Sequence, residues 1–139
     1  GGGSALRRAR TLAPLFDAMA TREPWADLAA AILGPDPAFN AMNVIRNAPG
    51  QAIAHWHVDD VLEFPLPPEI PAFDPRIRMP VFWLTVQVAL SPIERLEDGP
   101  TQFVPGSHRS GRRPDPDPAS VPVFAGRGPV SVWCAPGDI

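Results

Sequence analysis

The chain has 139 residues, of which 45% are hydrophobic and 19% are charged, and its formal net charge at pH 7 is −3. This size and composition are typical of one globular domain, or of a piece of one, and exclude a disordered chain. The basic residues are all arginines and are scattered through a mildly acidic chain, which argues against a nucleic-acid partner.

The sequence also carries signals about the compartment. Its single cysteine, Cys134, excludes an internal disulfide bond and fits a reducing environment. No apolar run approaches the roughly 20 residues that cross a bilayer, and the N-terminal region lacks the apolar core of a signal peptide. We therefore expect a cytoplasmic protein without a membrane partner. The sequence leaves open its oligomeric state and whether the glycine-rich residues 1–4 are native.

Two helices are expected before the first strand. Residues 5–20 have apolar side chains at helical spacing, and Pro14 either kinks this helix or starts it afresh. The second helix covers about residues 24–33, with a proline near its start and Gly34 as its end. We expect this helical segment, residues 5–34, to pack against a sheet.

The next segments are expected to form a hairpin followed by a long loop. Residues 39–47 and residues 53–59 read as its two strands. Residues 62–80 contain six prolines, and so long a connection is either a functional lid or binding loop, or a surface crossover stiffened by proline. If it covers a pocket, four of its side chains could touch an acidic or apolar ligand: Phe64, Phe73, Arg76 and Arg78.

Residues 81–90 give the most regular strand pattern. One face is entirely apolar and is expected to pack on the core; it consists of Phe82, Leu84, Val86, Val88 and Leu90. The other face mixes aromatic, polar and small side chains, and it either lines a ligand cavity or faces solvent; it consists of Trp83, Thr85, Gln87 and Ala89. Shorter strands are expected at residues 101–104 and 129–134, and the turn at residues 135–138 leads into a further strand. Several short strands after two helices suggest a jelly roll of the cupin kind.

Residues 55–60 contain two of the three histidines of the chain and two aspartates. In a strand, His55, His57 and Asp59 share one face. Residues two apart are separated by about 6.6 Å and residues four apart by about 13 Å, so two neighbours can bind one metal ion but all three cannot. The pair is either His55 with His57 or His57 with Asp59. The second pair plus a distant histidine is the facial triad of non-haem iron oxygenases; the alternative is a surface strand with a satisfied histidine.

Motifs from about residue 41 to the end of the chain resemble those of the phytanoyl-CoA dioxygenase family. That family has a Trp-His-x-Asp segment, then an Asn-Gly-Pro and Val-Pro-Gly-Ser-His run, and then a Gly-Asp turn. The matching segments here are Trp56-His57-Val58-Asp59, then Glu97-Asp98-Gly99-Pro100-Thr101-Gln102-Phe103-Val104-Pro105-Gly106-Ser107-His108-Arg109, and then Pro136-Gly137-Asp138.

The resemblance implies a mostly β fold with N-terminal helices. Residues 39–139 would form a double-stranded β-helix, a cupin-like jelly roll that is incomplete at its C-terminus, within a single partial domain over residues 1–139. The implied enzyme uses Fe(II), 2-oxoglutarate and dioxygen to hydroxylate a small-molecule substrate, and it releases succinate and carbon dioxide. The substrate itself cannot be read from the sequence.

The resemblance also assigns roles to residues by position. His57 and Asp59 become two metal ligands, and Asp59 argues against the halogenating relatives, which have a small residue there. Three residues fall where the family contacts 2-oxoglutarate: Gln87, Thr85 and Asn43. Four more are expected near the pocket or hydrogen-bonded to a ligand: His55, Trp83, Asn47 and His108.

One departure from the family is expected to matter. In the family, the third metal ligand, a histidine, and the arginine that pairs with 2-oxoglutarate follow the Gly-Asp turn, and this chain has neither there. We therefore expect a truncated member that binds iron poorly and is itself inactive. Two alternatives remain open: a cupin-type metal protein that uses His55 and His57, and a non-catalytic jelly-roll binding module.

Overall fold

The computed structural model of the chain describes residues 4–48, 55–59, 66–77 and 80–139. Its regular elements, in chain order, are β1 (Ser4–Leu6), a 3-10 helix (Ala9–Thr11), α1 (Pro14–Ala20), α2 (Trp25–Leu33), β2 (Val44–Arg46), a 3-10 helix (Leu96–Asp98), β3 (Gln102–Phe103), a 3-10 helix (Ser107–Arg109) and β4 (Val130–Ser131). The chain divides into two compact units. The first unit is Gly1–Ala52 with Trp83–Gln87, and the second is Ile53–Phe82 with Val88–Ile139.

The second helix of the first unit lies where the sequence predicts, and the first covers only the later part of its predicted range. Pro14 is the first residue of α1, because a proline there gives up only an N–H that would have no helical partner. This confirms that Pro14 starts a helix afresh. α2 ends at Gly34, whose φ of 110° is a backbone conformation that side chains with a Cβ rarely adopt. The indole of Trp25 donates a hydrogen bond of 2.7 Å to the carbonyl of Met19 and so ties α2 to α1.

The strands of the first unit differ from the prediction. β1 pairs antiparallel with β2, with Ser4 opposite Arg46 and Leu6 opposite Val44. The helix predicted over residues 5–20 is therefore wrong before Pro14, where the α-helix begins. The partner of β2 is β1, whereas the hairpin prediction paired it with residues 53–59, of which residues 55–59 form no strand and residues 53 and 54 lie outside the described residues. Helical spacing of apolar residues is only a local preference, and a strand partner that satisfies the backbone overrides it.

The second unit is built around its last segment, residues 130–138. β4 pairs antiparallel with β3, with Gln102 opposite Ser131. Further along, Ile93 and Cys134 exchange backbone hydrogen bonds of 2.8 and 3.1 Å, and Ala89 bonds to residues 137 and 138. These pairings confirm, in shortened form, the strands predicted at residues 101–104 and 129–134. The turn predicted at residues 135–138 is present as well, closed by a hydrogen bond from the Asp138 N–H to the carbonyl of Ala135.

The prediction for residues 81–90 is wrong in two respects. None of these residues lies in a strand, and of the face expected to be buried, Phe82 is 51% exposed and Leu90 is 69% exposed. An apolar strand face becomes buried only when a second layer lies over it. In the described part of the chain, the buried apolar residues are Ala9 in the first unit and Val104 in the second.

The described residues thus form two helices and two sheets of two strands each. The double-stranded β-helix that the resemblance implies, expected to be incomplete at its C-terminus, is seen among these residues only as these short pairings. None of these helices is both long enough and apolar enough to traverse a membrane.

Candidate metal site

The histidine and the aspartate that lie two residues apart are in contact in the second unit. The Nε2 atom of His57 is 3.2 Å from the Oδ1 atom of Asp59, and the two side chains are 53% and 58% exposed. No strand is present at residues 55–59, so the predicted strand is wrong there; residues 53 and 54 lie outside the described residues. The two side chains meet all the same, without the strand from which their shared face was predicted.

This nitrogen and oxygen fit two neighbouring positions around one divalent metal ion. Two ligands that are each about 2.1 Å from an ion, at right angles, are about 3.0 Å apart. The separation of 3.2 Å between His57 and Asp59 is close to that value. Without a metal, the same contact is a hydrogen bond in the tautomer whose Nε2 carries the proton. Imidazole and carboxylate are also the ligand types of the iron facial triad, so the chemistry of the pair fits as well as its spacing.

His55 orients the ring of His57 through its backbone. The Nδ1 atom of His57 is 3.3 Å from the carbonyl oxygen of His55. A proton on Nδ1 that is donated to this oxygen leaves Nε2, the nitrogen that faces Asp59, free to bind a metal. The two imidazole rings are also close, with centroids 5.2 Å apart and planes inclined by 41°.

A third ligand is not found beside this pair. Within residues 4–48, 55–59, 66–77 and 80–139, no group of three or more His, Cys, Asp and Glu side chains is placed to hold a metal ion. His108 lies in the 3-10 helix Ser107–Arg109 and is exposed. The structure therefore brings together two of the candidate ligands, His57 and Asp59, and joins neither His55 nor His108 to them as a third.

The residues expected to contact 2-oxoglutarate lie in the first unit. Asn43 and Asn47 flank β2, and both are exposed, as are Trp83, Thr85 and Gln87. The indole Nε1–H of Trp83 donates a hydrogen bond of 2.9 Å to the hydroxyl oxygen of Thr85. Because a hydroxyl can accept one hydrogen bond while it donates another, Thr85 keeps its own proton for a ligand oxygen.

The structure describes two of the four side chains of the proline-rich connection that were named as possible ligand contacts. Phe64 and Arg78 lie outside the described residues, and Phe73 is half-buried. Arg76 binds Asp74 instead of standing free: its Nε and its backbone N–H donate to Oδ1 of Asp74 at 2.9 and 2.8 Å, and one of its terminal nitrogens donates to Oδ2 at 2.6 Å. These hydrogen bonds from Arg76 hold the pKa of the Asp74 carboxyl below its usual value.

Sequence reasoning missed the arginines that hold this connection. Arg109 and Arg112 both donate to its backbone carbonyls. The sequence did contain a signal for these hydrogen bonds. A segment rich in proline lacks N–H groups of its own to satisfy its carbonyls, so it needs donors from elsewhere. Arg109 and Arg112, on either side of Gly111, are such donors. The pairing of each arginine with its carbonyl acceptors is set by the tertiary structure and could not be read from the sequence.

Asp98, in the turn before β3, gives a prediction about pH. Its carboxylate accepts hydrogen bonds of 3.0 Å from the backbone N–H groups of Glu94 and Arg95, and these bonds lower the pKa of Asp98. The group therefore stabilises the fold above its unfolded pKa of about 3.9, and this contribution is lost as the pH falls through the lower folded pKa. Relative to Asp98→Asn, the wild-type chain should be clearly more stable at about pH 6, and this advantage should shrink steadily as the pH falls below the unfolded pKa of about 3.9, as measured by urea unfolding. An advantage that stays the same as the pH falls would contradict this assignment.

Comparison with known proteins adds one finding to this geometry. The family model described as "Phytanoyl-CoA dioxygenase (PhyH)" matches residues 3–139, a range that includes the His57 and Asp59 pair. Neither the curated proteins nor the solved structures gave a match.

Proposed function

Because this chain belongs to the phytanoyl-CoA dioxygenase family, we propose that it is an Fe(II)- and 2-oxoglutarate-dependent oxygenase in which His57 and Asp59 are two of the iron ligands. Members of this family are generally enzymes of that class. The observation that carries the assignment of ligands is the separation of 3.2 Å between Nε2 of His57 and Oδ1 of Asp59. It falls within the segment that resembles the Trp-His-x-Asp motif of the family.

The roles of the two ligands follow from their chemistry. His57 supplies a neutral nitrogen when its Nδ1 proton is donated to the carbonyl of His55, 3.3 Å away. Asp59 supplies a negative charge that offsets part of the charge of the ion. Iron bound between them would supply the activation of dioxygen, with 2-oxoglutarate oxidised to succinate and carbon dioxide as one oxygen atom enters the substrate.

The finer parts of the proposal rest on the resemblance. From that resemblance we propose that the third ligand, a histidine, and an arginine for the far carboxylate of 2-oxoglutarate follow the Pro136-Gly137-Asp138 turn. An arginine suits that task because its planar guanidinium binds a carboxylate through two parallel hydrogen bonds. Thr85, Gln87 and Asn43 are proposed to contact the cosubstrate, and the Trp83 hydrogen bond of 2.9 Å supports Thr85 as a donor. We propose a small-molecule substrate and a cytoplasmic location.

The proposed function is tested by the formation of succinate from 2-oxoglutarate. The protein to use is the natural protein in full, with whatever segment carries the proposed third ligand. With Fe(II), 2-oxoglutarate and dioxygen, it should form succinate slowly even without its substrate, and a chelator should stop the reaction. Failure of an iron-loaded, folded protein to form any succinate would overturn the proposal.

A second candidate function is favoured by one observation, the contact between His55 and His57. Their ring centroids are 5.2 Å apart, so a cupin-type metal protein that uses both imidazoles is the main alternative. It shares His57 with the first proposal but does not need Asp59. Substitution of each residue separately distinguishes the two functions.

A further inference from the structure

Two loops of the second unit are joined by an unusual number of hydrogen bonds. We name residues 66–77 the proline segment and residues 109–112 the arginine turn. The guanidinium of Arg112 donates to four carbonyl oxygens of the proline segment, those of Pro67, Pro68, Ile70 and Pro71, over distances of 3.1, 3.1, 2.7 and 3.2 Å. A proline segment needs such a donor because its prolines have no N–H groups to offer its carbonyls. A guanidinium, with five N–H donors in a fixed plane, can serve several carbonyls at once.

Arg109 and Gly111 add a second attachment. Arg109 donates from its guanidinium to the carbonyl of Phe73 at 2.6 Å, and its own carbonyl accepts the Phe73 N–H at 2.9 Å. Gly111 has a φ of 61°, and a Cβ there would lie 2.8 Å from Cγ of Leu66 and 3.1 Å from Cε2 of Phe73. The two loops therefore approach so closely that only glycine fits between them.

The arginine turn is itself anchored to a well-packed part of the second unit. It follows Val104, which is 8% exposed, and the turn between them is closed by a hydrogen bond of 3.1 Å from the Ser107 N–H to the carbonyl of Val104. The proline segment is thus attached, from Leu66 to Phe73, to the arginine turn, and none of these contacts involves a ligand.

We propose that Arg112, together with Arg109, holds the proline segment as a preformed wall of the substrate site, and that this segment is not a lid that closes over a ligand. The segment begins seven residues after Asp59 and lies in the same compact unit. A wall that is ordered in advance spares the substrate the entropic cost of ordering a loop. That Arg112 and Arg109 hold the proline segment in place is inferred from the contacts alone. That the segment borders a substrate rests on the proposed function.

Hydrogen exchange of backbone amides tests this inference without any ligand. In the wild-type chain, free of iron and 2-oxoglutarate, the N–H groups of Ile70 and Phe73 should be protected, because they donate to the carbonyls of Pro67 and Arg109 at 3.0 and 2.9 Å. In Arg112→Ala these amides should exchange at least about tenfold faster, because local opening becomes easier. The bonded amides of Ile93 and Cys134 should keep their rates, which shows that the rest of the unit stays folded.

Two further variants keep the test decisive. Arg112→Lys retains the charge and the aliphatic stem, so it folds if the alanine variant does not. It should still speed exchange in the proline segment, since an ammonium group is compact and lacks the planar fork. Arg127→Ala is the matched control, because Arg127 is exposed and its side chain makes no hydrogen bond or ion pair with the rest of the described chain.

Two outcomes of the exchange experiment would overturn the proposal that Arg112 holds the proline segment in place. Unprotected amides in the wild-type segment, or protection that arises only when Fe(II) and 2-oxoglutarate are added, would make the segment a mobile lid. Unchanged exchange in both Arg112 variants would show that Arg112 does not hold it. Failure of the proposed function would be seen separately, as an absence of succinate, while the exchange rates stayed as expected.

Discussion

Replacing Asp59 with alanine should remove the visible absorption that Fe(II) and 2-oxoglutarate develop together in a protein with a working site. Asp59 supplies the only carboxylate in contact with His57 within the described residues, 3.2 Å from its Nε2 atom. Loss of a group that merely supports a metal ligand weakens metal binding by about 10- to 100-fold. Loss of a ligand should cost more, and we expect the affinity for Fe(II) to fall by at least about 100-fold. An anaerobic Fe(II) titration of the wild-type protein and of Asp59→Ala, with 2-oxoglutarate present, measures both affinities directly.

The matched control for this titration is Asp36→Ala. Asp36 is an exposed aspartate in the first unit, and within the described chain its side chain makes no hydrogen bond or ion pair. This variant should titrate like the wild-type protein. An equal loss of affinity in the two variants would mean that overall negative charge, and not a ligand at Asp59, draws the ion to the protein. Retention of full affinity by Asp59→Ala would remove Asp59 from the site.

Titration of these 139 residues alone and of the natural protein in full tests the proposed third ligand. Two protein ligands should bind Fe(II) weakly, and a third ligand after the Pro136-Gly137-Asp138 turn should raise the affinity. Strong absorption from the chain alone, lost in Asp59→Ala, would instead mean that His55 or His108 completes the site. That outcome would correct the assignment of the third ligand while leaving Asp59 in place.

Replacing His57 and His55 separately should give unequal effects on the affinity for Fe(II). His57 belongs to both candidate pairs, so His57→Ala should lower the affinity by at least about 100-fold under either function. His55 acts on the pair through its backbone carbonyl, 3.3 Å from Nδ1 of His57, and alanine keeps that carbonyl. His55→Ala should therefore cost no more than about tenfold, in the range of a supporting group.

The measurement for both histidines is the same anaerobic titration, with His108→Ala as the control. His108 is exposed in a 3-10 helix, and its replacement should leave the affinity unchanged. If His55→Ala lowered the affinity as far as His57→Ala while Asp59→Ala did not, the cupin-type function with an imidazole pair would replace the one proposed. If no substitution in the segment had any effect, the chain would fit a binding module without a metal.

Features that the sequence determined by itself are those that act over a few residues. His57 and Asp59 are separated by a single residue, so their contact needs no pairing of distant segments, although residues 55–59 form no strand. Pro14 and Gly34 bound helices because each restricts or frees its own backbone. The Pro136-Gly137-Asp138 turn is likewise local, with Gly137 at a φ of 94°.

The tertiary structure alone decided which distant segments meet. β2 pairs with β1, about forty residues earlier, although the nearer residues 53–59 were predicted as its partner. Arg112 reaches carbonyls 41 to 45 residues away, and nothing in its immediate neighbours identifies them. Local preferences fix the backbone within a turn or so, whereas the pairing of distant groups depends on which arrangement satisfies the most backbone donors and acceptors in the whole fold.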